Sequence, residues 1–177
     1  MAIVQGPANI YSNYYIMTSY GGWSPCIQGN TAHGLLPFAG SVIPNCVGYI
    51  VGRFNEWGSQ GGCPYLASVN GNVMINVAGW QGLSTGFTPA VGACMCWDDG
   101  NEGHVAFVEQ VIDNDNVITT ESGWNYSVEP VVRQRSRARG LNGNWGYGGT
   151  FQGFIYNPAS PVSYDILPAI WWYMEEE

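Results

Sequence analysis

The sequence predicts an α+β fold in which one largely buried helix packs on an antiparallel β-sheet. Three observations lead there. An apolar pattern at helical spacing begins at Cys46, strands of alternating character follow from residue 92, and turn residues separate them at short intervals. The 177 residues suffice for one domain with its own hydrophobic core.

In the helix, Cys46, Tyr49, Ile50, Arg53, Phe54 and Trp57 recur on one side, and Val47 and Val51 add apolar surface on another. Asn45 is a good N-cap, Pro44 sets up the turn into it, and Gly58 ends the pattern. Gly48 and Gly52 each cost roughly 1 kcal/mol of helix propensity against alanine, which is consistent with close approach of the helix to a sheet.

Gly92-Ala93-Cys94-Met95-Cys96-Trp97 reads as the first strand and Asp98-Asp99-Gly100-Asn101 as a turn. His104 to Ile112 is a second strand, Asp113-Asn114-Asp115-Asn116 a hairpin loop, and Val117 to Glu121 the returning strand. Shorter strands are expected over 128–137 and 150–156. Residues 1–44 read as irregular, and 59–90 as mostly loop, with at most a short helix around Val73–Ala78. The expected division is a domain over 1–157 and a tail or the start of a linker over 158–177.

Composition narrows the function. Apolar residues make up 46% and charged residues 10%, so the chain is neither a disordered nor a membrane class. The 25 glycines, 11 tyrosines and 8 tryptophans suit a turn-rich fold, with core packing as the plain explanation of the aromatics and sugar-binding surface as the rival. There is no lysine, and five arginines against thirteen acids give a net charge of -8, which argues against nucleic-acid binding. Four of those arginines, at 133, 135, 137 and 139, share one face of an extended strand. Either they are a solvated edge that discourages strand pairing, or they clamp carboxylates or phosphates of an acidic polymer.

The amino terminus has no basic start followed by an apolar run, and the apolar stretch near 170–174 is too short to span a bilayer, so no signal peptide and no membrane insertion are expected. Five cysteines, an odd number, suit thiols in a reducing cytosol better than a disulfide framework, although the sequence does not exclude a Cys26–Cys63 bridge. Cys94 and Cys96 share one side of a strand, but no Cys-x-x-Cys spacing supports a zinc site.

Chemistry points to Cys46 and His104. A cysteine in the first turn of a helix feels the positive end of the macrodipole, which favours thiolate. An imidazole beside it can take the proton. The chain holds only two histidines; His33 lies in a Gly/Pro-rich loop, whereas His104 opens a strand. An imidazole in this role needs a third group to fix its tautomer. If Ile112 pairs with Val117, His104 faces Asn125 and Glu121 shares its sheet face, so either could orient the ring. A carboxylate has the better chemistry. Glu109 has the wrong parity and is expected to be solvated.

Together, Asn45-Cys46-Val47-Gly48-Tyr49, Gly103-His104-Val105-Ala106-Phe107-Val108-Glu109 and Glu121-Ser122-Gly123-Trp124-Asn125 resemble the CHAP domain, the cysteine, histidine-dependent amidohydrolase/peptidase family. Gly92 to Trp97 and Gly153-Phe154-Ile155-Tyr156-Asn157 look like catalytic domains of phage and prophage endolysins from Gram-positive hosts. The resemblance covers roughly residues 40–157. It implies a papain-like fold, peptidoglycan as partner and substrate, and hydrolysis of an amide bond, with Cys46 as nucleophile, His104 as base and Glu121 as orienting acid. Many relatives carry an asparagine two residues beyond the acid; here that position is Gly123, which leaves Asn125 as a second candidate. The acidic calcium loop of some relatives has no counterpart in 34–43, so neither metal nor cofactor is expected. Trp124 and Trp145 are candidate walls of the substrate groove.

The expected protein is a monomer made in the host cytoplasm and acting at the cell wall, with a separate wall-binding module as a further partner. The rival from another class is a catalytically silent wall- or glycan-binding module of a phage particle.

Overall fold

A computed structural model describes residues 17–19, 22–23, 46–58, 66, 69–122, 131–138 and 143–158, with side chains described from Cys46 onward except at 55–58. Strands β1 (Met17–Ser19) and β2 (Gly22–Trp23) form a small antiparallel pair. Helices α1 (Cys46–Gly58) and α2 (Gly71–Trp80) precede six strands: β3 (Thr85–Gly86), β4 (Cys94–Asp98), β5 (His104–Asp113), β6 (Asn116–Glu121), β7 (Val131–Ser136) and β8 (Thr150–Ile155). These six make one sheet in the order β3-β8-β4-β5-β6-β7, and every neighbouring pair is antiparallel. The α+β architecture expected from the sequence is therefore present, and it is consistent with the papain-like fold that the resemblance implies.

Alternation along the strands divides the core into two layers. Cys94, Cys96, Val105 and Phe107 point to the face covered by the helices, where they meet Tyr49, Ile50 and Phe54 of α1 and Met74 and Ala78 of α2. Met95, Trp97, Ala106 and Val108 point the other way and pack with Trp145 and Phe154. The longer α2 replaces the short helix expected around Val73–Ala78. Its glycines and asparagines are poor helix formers, and burial of Met74 and Ala78 outweighs that preference.

The first face also holds charge. Arg53 donates from Nε and Nη2 to Glu109 Oε1 and Oε2 at 2.9 and 2.7 Å, with both residues 1% exposed. Thr120 donates to Glu109 Oε1 at 2.6 Å, and Tyr49 donates to Thr120 at 2.7 Å. Glu109 is therefore buried, not solvated. Its parity, opposite to that of His104, aims it at the face that α1 covers. The network ties α1 to β5 and β6 two turns below Cys46.

The β5–β6 hairpin corrects the expected register. Asp113 pairs with Asn116, but Val111 pairs with Val117 and Val108 with Thr119, because Ile112 and Glu109 are extra residues in two bulges. Phe107 pairs with Thr120, so one further step sets Glu121 across from Ala106. Without the bulges Glu121 would face Val108, two pleats away from His104. A single bulge would turn it to the opposite face. Two bulges preserve the face and bring Glu121 to a diagonal neighbour of His104.

Just before β5, Gly103 has φ +74, and a Cβ there would lie 2.3 Å from Asn72 N and 2.4 Å from Trp97 O. Only glycine lets the turn pass this close beneath the start of α2. Asn72 N donates to Glu102 O at 3.1 Å, and Asn72 Nδ2 to Asn101 O at 2.6 Å, which fastens the turn leading into His104.

Candidate active site

Cys46 begins α1 and is 9% exposed. Its thiol lies close enough to the ring of His104, the first residue of β5, to act on its charge. His104 Nε2 donates to Glu121 Oε2 at 2.7 Å, which leaves Nδ1 as the nitrogen for Cys46. Helix α1, β5 and β6 thus each contribute one member of a Cys46–His104–Glu121 relay. Asn125 and Trp124 lie outside the described residues, as do the Asn45 cap, His33, Cys26, Cys63 and the 34–43 stretch.

Glu121 is held more firmly than the sequence suggested. Arg135 of β7 donates from Nε to Oε1 at 3.0 Å and from Nη2 to Oε2 at 2.6 Å, while Thr119 Oγ1 donates to Oε1 at 3.1 Å. The Arg135 side chain is 7% exposed. Its guanidinium lies 4.9 Å from the centre of the Trp97 ring and 6.0 Å from that of Tyr147. His104 stacks on the same two rings, 4.8 Å from Tyr147 and 5.9 Å from Trp97. Imidazole and guanidinium therefore rest on one aromatic shelf and share one carboxylate.

Electrostatics follow from this arrangement. Burial of His104 disfavours its charged form, but its interactions with Cys46 and with the Glu121 carboxylate outweigh it and raise the ring from 6.5 to about 9. Burial would raise Glu121, yet the bonds from His104 and Arg135 bring it from 4.5 down to about 2. The pair is thus an imidazolium against a carboxylate across the neutral range. Burial, then the charge of Asp99 and a hydrogen bond to it, hold the Tyr147 phenol up at about 12. Burial and the neighbouring Cys96 push the Cys94 thiol up, so this cysteine is an inert core residue despite its proximity to Cys46.

Two expectations about the site change. Trp145 is 1% exposed and packs edge-on against Phe151 and Phe154, so it belongs to the second core layer and does not wall a groove. The arginines are not simply a solvated edge: Arg135 is spent on Glu121, and Arg137 lies over Trp145 and donates to Phe87 O at 2.8 Å. Arg139 lies outside the described residues. Sequence reasoning missed Arg135, Trp97 and Tyr147. The signal available for Arg135 was an arginine at the same strand parity as its neighbours on a chain otherwise poor in cations.

Among the described residues, no group of three or more His, Cys, Asp or Glu side chains is placed to hold a metal ion. No helix among them is long and apolar enough to cross a membrane.

Comparison with known proteins agrees with the geometry. Over 55 residues the chain is 46% identical to a Streptococcus mutans serotype c protein named "Putative hydrolase"; the aligned stretch is 31% of this chain and 26% of that relative. The match thus spans about a quarter of the relative's length. Residues 37–123, which include Cys46, His104 and Glu121, match the CHAP domain family. Residues 37–123 are thus identified as a CHAP domain, which the α+β architecture fits.

Proposed function

We propose that the protein hydrolyses an amide bond of peptidoglycan through a covalent acyl-enzyme on Cys46. The observation that carries this reading is the convergence of Cys46 at the start of α1 on His104, whose ring is bonded to Glu121 at 2.7 Å. His104 takes the thiol proton, and the imidazolium so formed is stabilised by Glu121. The thiolate attacks a wall-peptide carbonyl, and the positive end of the α1 dipole favours the negative charge that develops beside it. The tetrahedral intermediate collapses as His104 gives its proton to the leaving amine. The freed imidazole then activates water, which releases the acyl group and restores the thiol.

The bond is either the N-acetylmuramoyl-L-alanine amide or a stem or cross-bridge peptide bond, since both suit the same chemistry. The reading extends to a phage or prophage endolysin acting at the wall with the help of a wall-binding module. The net charge of -8 supports the last point, because long-range attraction to an anionic wall is absent.

Mass spectrometry of fragments from digested purified walls tests the reading. A new amino terminus at alanine beside free muramic carboxylate marks the amidase, and a new amino terminus within the peptide marks the endopeptidase. Binding to walls with no new terminus would identify a silent binding module instead.

A further inference from the structure

Glu121 has no acceptor capacity left for a second arginine. A carboxylate offers about four lone-pair sites. Oε1 accepts from Arg135 Nε and Thr119 Oγ1, and Oε2 accepts from Arg135 Nη2 and His104 Nε2. Arg133 stands two residues before Arg135 on the same face of β7, with its Nε 3.5 Å from Glu121 Oε1. That is an ion-pair distance beyond hydrogen-bond range. The Arg133 side chain is 57% exposed.

With His104 protonated, three cations therefore surround one carboxylate. Arg135 is buried on Glu121, and Arg137 has Asp115 at 3.5 Å and the Phe87 carbonyl. Arg133 has the most exposed side chain of these three arginines, and it shares Glu121 with the imidazole. Val131, directly across from Glu121 and 40% exposed, gives the same rim an apolar neighbour. A cation with a small apolar patch next to it suits a peptide that carries a free carboxylate close to a short aliphatic side chain.

We propose that Arg133 is a specificity-determining residue that binds a free carboxylate of the peptide substrate close to the scissile amide. This inference rests on the functional reading above and adds the chemical class of substrate the site prefers. Arg133 forms a charge-assisted hydrogen bond with the substrate anion from its Nη atoms, while its Nε stays toward Glu121. The contact is available before the acyl transfer begins, so it acts on binding and orientation more than on the chemical step.

The test uses the full chain and synthetic stem peptides in which each free carboxylate is exchanged in turn for a carboxamide. For wild type, one exchange near the cleaved amide lowers kcat/KM by about three- to tenfold, mainly through KM. Arg133→Gln cleaves that pair at equal rates, Arg133→Lys keeps part of the difference, and Arg133→Glu reverses it. An unchanged melting temperature of Arg133→Gln shows that the loss is not one of folding. Indifference of wild type to every exchange, or a wild-type ratio retained in Arg133→Gln and Arg133→Glu, overturns the proposal while leaving the acyl-transfer reading standing. Cleavage of no peptide by wild type, or equal cleavage by Cys46→Ala, overturns the functional reading and the inference with it.

Discussion

Glu121 Oε2 accepts from His104 Nε2 at 2.7 Å and from Arg135 Nη2 at 2.6 Å, so one oxygen couples the imidazole to a buried guanidinium. Arg135 fixes the rotamer of Glu121 and, through it, the plane of the ring. Arg135→Gln is expected to lower kcat on the order of 10- to 100-fold, the cost of a loosely oriented base. Glu121, released from one of the two partners that depress it, then protonates at higher pH than about 2. The acid limb of the activity profile moves upward in Arg135→Gln and less so in Arg135→Lys. A uniform loss at all pH values would assign Arg135 a purely structural role.

The pH dependence of the wild type follows from the two shifted groups. His104 is raised, so its stabilising protonation is complete below 6.5 and is lost as pH rises through about 9. Glu121 is depressed, so its contribution is complete above 4.5 and is lost as pH falls through about 2. Activity is expected to decline on an alkaline limb near 9. NMR of the His33→Gln variant, which retains a single imidazole, reads the His104 titration directly. A midpoint at the ordinary 6.5 would show that the ring is not paired as described.

Burial of the Arg53–Glu109 pair makes it sensitive to one-sided change. Arg53→Met leaves a buried carboxylate without its guanidinium and is expected to cost about 3–5 kcal/mol of stability. Arg53→Met with Glu109→Leu, which removes both charges, should cost markedly less. Denaturant unfolding of the two variants checks this. Equal losses would mean that packing, not the ion pair, ties α1 to β5.

Thiol chemistry separates Cys46 from the two core cysteines. Cys94 and Cys96 are fully buried with sulfurs 3.8 Å apart, and Cys46 alone of the three has surface to offer. Iodoacetamide is expected to label Cys46 before Cys94 or Cys96 in the folded protein, with activity lost in step. Peptide mapping of the label checks the order, and loss of activity with Cys46 unlabelled would contradict it.

Much of this site was legible because its parts follow local rules. Cys46, Tyr49, Ile50 and Phe54 mark α1 by their spacing, and His104 to Val108 alternate as a strand must. The pairing of His104 with Glu121 also emerged, but through a register that the structure does not keep. The bulges at Glu109 and Ile112 leave no mark in the residue pattern, since neither position holds a glycine or a proline. Arg135 was hidden for a related reason. Strand alternation places a side chain on a face, but whether that face meets solvent or a carboxylate depends on the β6–β7 pairing across it. Trp145 shows the same limit, because a tryptophan in a Gly-rich loop reads alike whether it lines a groove or fills a core.

Release of new amino termini from purified peptidoglycan reads the role of Cys46 as nucleophile without an intermediary. Wild type should release them, while Cys46→Ala, folded and still able to bind walls, should release none above background. Release at the wild-type rate by folded Cys46→Ala would contradict thiol catalysis at this site.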